Sequence, residues 1–354
     1  MIVWLVRKNL LTASYLDEKV KALDNDIKQN GLLFLCEMGL DPGIDHMSAM
    51  LLIDNIHAEG GAITSFKSHC GGLIAPENDD NPWHYKITWN PANVVNAGKT
   101  GASFKQNGNF KNIVYPDIFK NCDEVLVPGL GQYAFYPNRD SSAYATLYGL
   151  EEADTFIRTT LRHPDFCKGW YNIAKAGLTD VSILPDFENM RSVDWLIYSL
   201  KRFAQVNSFS GFLAQSVEPA DQELIKQLFS YLGIDDEIII PKSVSSSSAT
   251  ILQHLLETKL KLNKHDKDMI VMLHEIDYKL NNTKKSIKSC MIVKGDEDQN
   301  TAMAKTVGFP LAIATELIIK NKINITGLHI PIIKEVYDPV LTKLKENRIQ
   351  FEEI

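Results

Sequence analysis

The stretch GLDPGIDHM, residues 39–47, sits directly behind the apolar run LLFLCEM at 32–38 and packs two aspartates, a proline and two glycines into seven positions. Asp45 is a candidate N-cap for the helix that follows, which leaves Asp41 with no structural duty. In SHCGGL, residues 68–73, Cys70 ends an expected strand and two glycines follow, which lets a ligand or another backbone approach closely. A buried strand-end cysteine reads the same way. Arg139 lies in the turn-like FYPNRDSS at 135–142, where a loop arginine can grip a carboxylate through paired hydrogen bonds. In IRTTLRH at 157–163, Arg158 and Arg162 fall one helical turn apart, with Thr159 and Thr160 beside them. Ser14 and Tyr15 stand between an expected strand and a helix in LTASYLDEK at 11–19. An acidic loop, a thiol and several arginines describe a polar site for an anionic ligand, an amino acid among the candidates.

The elements that must position these groups follow from periodicity. Residues 16–30 carry an amphipathic helix pattern closed by Gly31. LLFLCEM reads as a buried strand, a helix follows near 45–58, and AITSFKSHCGG at 62–72 reads as the next strand. The ends of adjacent strands, at Ser14–Tyr15 and at 39–46, form a crevice of the kind that binds ligands in open α/β sheets. From about 85 to 128 the chain is β-rich: HYKITW, a hairpin through Asn107–Gly108, and EVLVPG. From EEADTFIRTTLRH near 151 to about 265 it reads as helical. The serine run at 243–250 is a loop ending in a helix N-cap. Strands return at KDMIVMLHEIDYKL and KKSIKSCMIVKG, followed by an apolar helix from 302 and a final helix–strand unit. A β-rich segment with a helical insertion, flanked by α/β pieces at both ends, is an α/β protein whose chain ends build one domain.

Several classes are excluded. GLGQYA at 129–134 matches GxGxxA, but Pro137 and Asn138 break the helix that a phosphate loop requires. The chain has no GxxxxGK[ST], no HExxH and no paired Cys/His spacing, so no metal site is expected, and His46, His57 and His274 read as core or surface residues. Its 354 residues are 45% hydrophobic with a formal net charge of -7, which fits neither disorder nor a nucleic-acid surface. The expected partners are a small molecule and a second copy, with no nucleic acid and no membrane. Five scattered cysteines (Cys36, Cys70, Cys122, Cys167, Cys290) and an apolar run of only five residues at the start point to free thiols in the cytoplasm.

The blocks LLTASYLDEKVKALD, CEMGLDPGIDHMSAM, SHCGGLIAPENDDNPWHYKITW, FYPNRDS, FIRTTLRH and TVGFPLAIATELII together resemble the saccharopine dehydrogenase family, L-glutamate-forming type, in order and over nearly the whole chain. Carboxynorspermidine dehydrogenase and homospermidine synthase share a DPG loop but differ around it. The resemblance implies a Rossmann-type dinucleotide-binding domain and an α+β substrate and dimerisation domain with a helical insertion. It implies NADP-dependent interconversion of saccharopine with L-glutamate and 2-aminoadipate 6-semialdehyde, by a homodimer. Here 1–45 would be the remnant of the NADP domain, completed by about 301–354. Residues 46–150 and 266–300 would form the substrate domain, with the insertion at 151–265.

The resemblance also assigns roles. Ser14 and Tyr15 would contact saccharopine. Asp41, Pro42 and Gly43 would line the junction of nicotinamide and substrate, Asp41 being the candidate proton acceptor for the secondary amine. Cys70, like Asp41 and Tyr15, would be catalytic, in positioning or proton relay. Trp89 and Asn90 would lie against the cofactor. Arg139 would clamp a carboxylate, and Thr160, Leu161 and Arg162 would hold the rest of a substrate with three carboxylates. Two departures stand out. Met1 lies only thirteen residues before Ser14, so the NADP site is expected to be incomplete, and His69 replaces an expected tyrosine. Two other readings stay open: an inactive ligand-binding relative, and a polyamine dehydrogenase.

Overall fold

The computed structural model describes residues 7–185, 190–297 and 300–354; the apolar run at 2–6 lies outside them. In chain order the elements are β1 (Leu10–Leu11), α1 (Glu18–Lys21), α2 (Asp24–Gln29), β2 (Leu33–Leu35), α3 (Ile44–Ala58), β3 (Ala62–Ile74), α4 (Pro91–Val95), β4 (Ala102–Gln106), β5 (Asn109–Ile113), β6 (Asp123–Val127), β7 (Gly131–Pro137), α5 (Ser142–Leu147) and β8 (Thr155–Arg162). There follow α6 (Pro164–Lys175), α7 (Ser192–Ser199), α8 (Phe209–Ser216), α9 (Gln222–Leu232), α10 (Ser248–Lys259), β9 (Asp268–Leu280), β10 (Thr283–Lys294), α11 (Ala302–Ile319), β11 (Gly327–His329), α12 (Lys334–Glu346) and β12 (Glu352–Glu353).

Two sheets organise these elements. β1, β2 and β11 form a small parallel sheet with β2 in the middle, Leu10 opposite Phe34 and Gly327 opposite Leu33. The large mixed sheet runs β12-β10-β9-β3-β8-β4-β5, with the β6–β7 hairpin joining through β7 against β8. Two hairpins of this sheet turn on pairs of residues with positive φ, Asn107–Gly108 (53° and 77°) and Asn281–Asn282 (50° and 60°), as a tight two-residue turn requires. α3 is buried over most of its circumference, from Ile44 through Ile56, because it lies between the large sheet and α12. This explains why its apolar residues are not confined to one stripe.

The stretch 155–162 is a strand, not the start of a helix. Thr155, Ile157, Thr159 and Thr160 are β-branched and favour the pleated backbone, and β8 pairs in parallel with β3, Phe66 opposite Phe156 and Cys70 opposite Thr160. Within 151–265, helices begin only at Pro164. The amphipathic stretch 16–30 is two short helices that break at Ala22–Leu23. HYKITW is not a ladder strand: only Ile87 bridges, to Lys261, because Trp83 and Tyr85 turn into the helical body. GLGQYA runs into β7 and has no helix behind it.

The helical body, α6 to α10, has its own core around Trp83, Trp170 and Trp195, with Trp83 Nε1 donating to the Leu228 carbonyl at 3.0 Å. Ser247 caps α10 in a reciprocal pair with Thr250. α11 is long and apolar enough to cross a membrane by length and composition alone. Its buried residues Ala302, Thr306, Pro310, Ile313, Ala314 and Leu317 form one face, and the helix packs against β9, β10 and α12.

Candidate active site

The loop after β2 closes on itself. Gly39 N–H donates to the Pro42 carbonyl (3.0 Å), and Ile44 and Asp45 N–H donate to Gly39 and Leu40 (2.9 and 3.1 Å). Gly43 has φ +146°, and a Cβ there would lie 2.1 Å from the Gly39 carbonyl oxygen, so only glycine fits. The Asp41–Pro42 peptide is cis. This geometry moves the helix start: Gly43 is the N-cap position of α3, and Asp45 is a helical residue whose Oδ1 accepts from Gly43 N–H at 2.6 Å.

Both loop carboxylates meet one guanidinium. Arg158 Nη2 donates to Asp41 Oδ1 (2.5 Å) and Asp45 Oδ2 (2.6 Å), with its carbon 4.4 Å from the centre of the Tyr144 ring. Tyr15 hydroxyl also donates to Asp41 Oδ1, at 3.4 Å. Behind them His46 joins Glu37 Oε2 (2.8 Å) and the Tyr148 hydroxyl (2.5 Å). Burial pushes the Asp41 carboxyl up, against the pull of Arg158. Burial opposes ionisation of Asp45 as well, but His46, Arg158 and the Gly43 N–H together hold its carboxyl below the ordinary value. Burial, reinforced by Asp41, raises Tyr15 well above an ordinary phenol. Asp41 is therefore a carboxylate primed to take a proton, in contact with a hydroxyl that holds one.

Next to this cluster lies a cleft of about 750 Å³. Ala13, Ser14 and Tyr15 approach it from the small sheet, Gly39 to Pro42 from the loop, and Met303 and Val307 from α11. The large sheet contributes Cys70, Gly72, Thr160, Arg162 and the run Tyr136 to Arg139, and Trp89 and residues 96–101 close the rim. Strand alternation explains the choice: Arg158, Thr160 and Arg162 share one face of β8. Leu161 faces the other way and is fully buried among Leu73, Val271 and Leu273, so its side chain does not line the cleft. Asn90 does not line it either; its side chain caps α4 by accepting from Ala92 N–H at 3.0 Å. Gly43 lies beneath the loop, outside the cleft lining.

Cys70 is inside β3, not at its end, and the strand continues through both glycines to Ile74. A Cβ on Gly71 would meet Leu161 Cβ at 2.8 Å and one on Gly72 would meet Met303 Cε at 2.8 Å, so the glycines admit β8 and α11. Burial holds the Cys70 thiol protonated, well above its ordinary value. His69 points to the opposite face, joined to Thr159 Oγ1 (2.7 Å) and Glu275 Oε2 (3.3 Å), and does not enter the cleft.

Three cationic residues line the cleft with no direct ion pair to a carboxylate among the described residues. Arg162 donates Nη1 to the Leu161 carbonyl (2.7 Å), its Nε is buried without a partner, and its guanidinium stacks 5.2 Å from Tyr85 and 5.5 Å from Phe166. Arg139, at φ +53°, places its guanidinium 5.1 Å from the centre of the Tyr15 ring. Lys99 Nζ donates to the Thr179 carbonyl at 2.7 Å, and burial lowers its pKa against the attraction of Asp180. Sequence reading passed over Lys99, because a lone lysine in the loop NAGKTG carries no spacing signal. It also gave Arg158 no partner, although the β-branched alternation of 155–160 would have put Arg158 and Arg162 on one face.

Residues 39–349 match the family model described as the saccharopine dehydrogenase C-terminal domain. The alpha-aminoadipic semialdehyde synthase of Arabidopsis thaliana is 33% identical over 98% of the chain, and the chain spans only 34% of that relative's length. The saccharopine dehydrogenase [NADP(+), L-glutamate-forming] of Saccharomyces cerevisiae is 33% identical over 96% of the chain and 77% of its own length. The solved apo structure of the Saccharomyces cerevisiae saccharopine dehydrogenase (L-Glu forming) superposes with a TM-score of 0.89 at 28% identity, covering 99% of this chain and 80% of that one.

Proposed function

The chain belongs to the saccharopine dehydrogenase family, and we propose that it provides the substrate-binding body for NADP-dependent interconversion of saccharopine with L-glutamate and 2-aminoadipate 6-semialdehyde. The observation that carries this reading is the pairing of Arg162, Arg139 and Lys99, none of them in direct ion pair with a carboxylate among the described residues, with the Tyr15–Asp41 proton pair across one cleft. A tricarboxylate amino acid supplies the missing anions. Its secondary amine faces Asp41, which accepts or returns the nitrogen proton while Tyr15 steadies the carboxyl. Arg158 keeps Asp41 aimed, and the protonated Cys70 thiol lines the floor as a neutral positioning group. A polyamine would bring cations to this wall of cations, which argues against the polyamine dehydrogenase reading.

Asp41, Pro42 and Trp89, which is half exposed, would hold the nicotinamide end of NADP, where the bound cofactor takes or gives the hydride. The N-terminus of α3, next to this loop, is filled by Asp45 rather than left free for a pyrophosphate. That observation favours a second reading, in which this chain binds saccharopine without turning it over. Calorimetric titration with saccharopine and carboxynorspermidine, run beside NADPH oxidation, separates the possibilities. Saccharopine binding with NADP(H) turnover supports the enzyme, and saccharopine binding alone supports the second reading. Preference for carboxynorspermidine overturns both. We also propose a homodimer, which light scattering would show as twice the chain mass, and a reducing, cytoplasmic setting in keeping with five free thiols.

A further inference from the structure

Where β8 runs into α6, two elements bring together a set of ligand atoms that the cleft chemistry does not use. His84 stands on the loop after Asn81, and His163 and Asp165 stand where β8 turns into α6. The imidazole rings are 3.7 Å apart between centroids. Asp165 Oδ2 lies 3.7 Å from His84 Nε2 and 3.7 Å from His163 Nδ1, and the three potential ligand atoms fall within 4.8 Å of one another. We propose that His84, His163 and Asp165 form a binding site for one divalent transition-metal ion of the zinc class.

Four features argue for a metal over a simple hydrogen-bond cluster. Ligands bound at about 2.0–2.1 Å around a tetrahedral centre sit about 3.3 Å apart, so the two 3.7 Å edges from Asp165 need to contract by only a few tenths of an ångström, while the two imidazoles, 3.7 Å apart between centroids, swing apart to roughly 5 Å so that both lone pairs reach one ion. His84 Nδ1 is held by Asp79 Oδ2 at 2.6 Å; since a carboxylate can only accept, this bond leaves the lone pair on Nε2, facing the site. That is the outer carboxylate–histidine arrangement that orients metal-binding imidazoles. His163 Nδ1 likewise carries a lone pair, used only for a long 3.3 Å bond from Asp165 N–H. The side chains are about a third exposed, so an ion can enter and a water can complete the coordination.

Asp79 and Glu124 add negative charge around the site. Two imidazoles and one carboxylate are a donor set for zinc, nickel or copper rather than calcium or magnesium. The ion would fasten the loop carrying His84 and Tyr85 to the strand end carrying Arg162, whose guanidinium rests against Tyr85. Its role is structural, bracing the wall of the cleft.

The test is calorimetric titration of the untagged chain with zinc chloride, with thermal unfolding in parallel. The expected result is one zinc per chain with a Kd at or below ~50 µM and a zinc-dependent rise in Tm. His84→Gln and Asp165→Asn should each weaken binding at least tenfold, and Asp79→Asn should do so by about tenfold through orientation alone. His163→Asn keeps a competent helix cap, so its loss of zinc binding would not come from unfolding of α6. His265→Gln, at an exposed histidine paired with Glu297, should change nothing. Zinc uptake that is weaker than that limit, or that survives both His84→Gln and His163→Asn, overturns the proposal.

Discussion

Arg158 and Arg162 leave the same face of β8, four residues apart, yet their surroundings are opposite. Arg158 is closed off: Asp41 and Asp45 both bind its Nη2, and Tyr144 covers its plane. Arg162 is half-buried and meets carbonyl oxygens and aromatic rings, and its buried Nε has no partner. A buried charge is tolerated only if it is paired. The Arg158 pairing is complete within the chain, so this arginine organises the loop. No carboxylate among the described residues pairs with Arg162, which is the arrangement expected of an arginine that receives its counter-ion from a ligand. The contrast separates stability from binding along a single strand, and it can be broken at several points.

The largest effect is expected at the closed end. Arg158→Ala leaves two buried aspartates facing each other without a cation, and breaking such a buried pair costs about 3–5 kcal/mol. Urea unfolding should show that loss; a change below about 1 kcal/mol would mean that the pair is not structural. The same neighbourhood has an acid signature. His274 is buried against Ser48 of α3 (2.7 Å), and burial lowers its pKa to about 4. A depressed histidine stabilises the fold above its unfolded pKa of about 6.5, and that contribution is lost as the pH falls towards 4. The shift corresponds to roughly 3 kcal/mol across this window. His274→Phe should flatten the stability profile between pH 6.5 and 4; an unchanged slope would place the titration elsewhere.

The same contrast shows what the sequence could and could not say. Tyr15, Asp41, Cys70, Arg139 and Arg162 were legible as chemistry-bearing types next to strand ends, and their side chains do share one cleft. The hairpin at Asn107–Gly108 and the strand LLFLCEM were legible because turn chemistry and local apolarity are local properties. The strand at 155–162 was not, since arginines spaced by four fit a helical turn and alternating strand positions equally well. Only pairing with β3 decides between them. Asp45 was misread because an N-cap is named by position, while its partner Arg158 is 113 residues away. Leu161 and Asn90 stand next to cleft residues in sequence, yet the side chain of one faces the opposite side of the sheet and that of the other caps α4, a distinction that only strand pairing and local backbone geometry set.

At the open end the expected effects fall on binding. Arg162→Ala removes a desolvated cation that completes its pairing only with a ligand carboxylate, a loss of about 2–3 kcal/mol, or roughly 30- to 150-fold in the Kd for saccharopine. Tm should move far less than in Arg158→Ala. If instead Arg162→Ala unfolds the chain and leaves saccharopine affinity intact, the assignment of the two arginines is reversed.

The smallest effect belongs to Lys99, and it tests whether the open end extends beyond β8. Lys99 is only partly buried, and its one bond is to the Thr179 carbonyl, so solvent screens part of its attraction for a carboxylate. A charged hydrogen bond weakened in this way contributes about 1 kcal/mol, close to fivefold in affinity. Lys99→Met keeps the aliphatic stem and removes the charge, so packing of the rim is preserved. Calorimetry should show saccharopine binding weakened about fivefold at low salt, with the gap between wild type and Lys99→Met narrowing as salt is raised. Arg162, with its Nε buried, should keep its advantage over Arg162→Ala at the same salt. A Lys99→Met effect that ignores salt would mean that the lysine acts by shaping the loop at 96–101, and the cation wall would then consist of the two arginines alone.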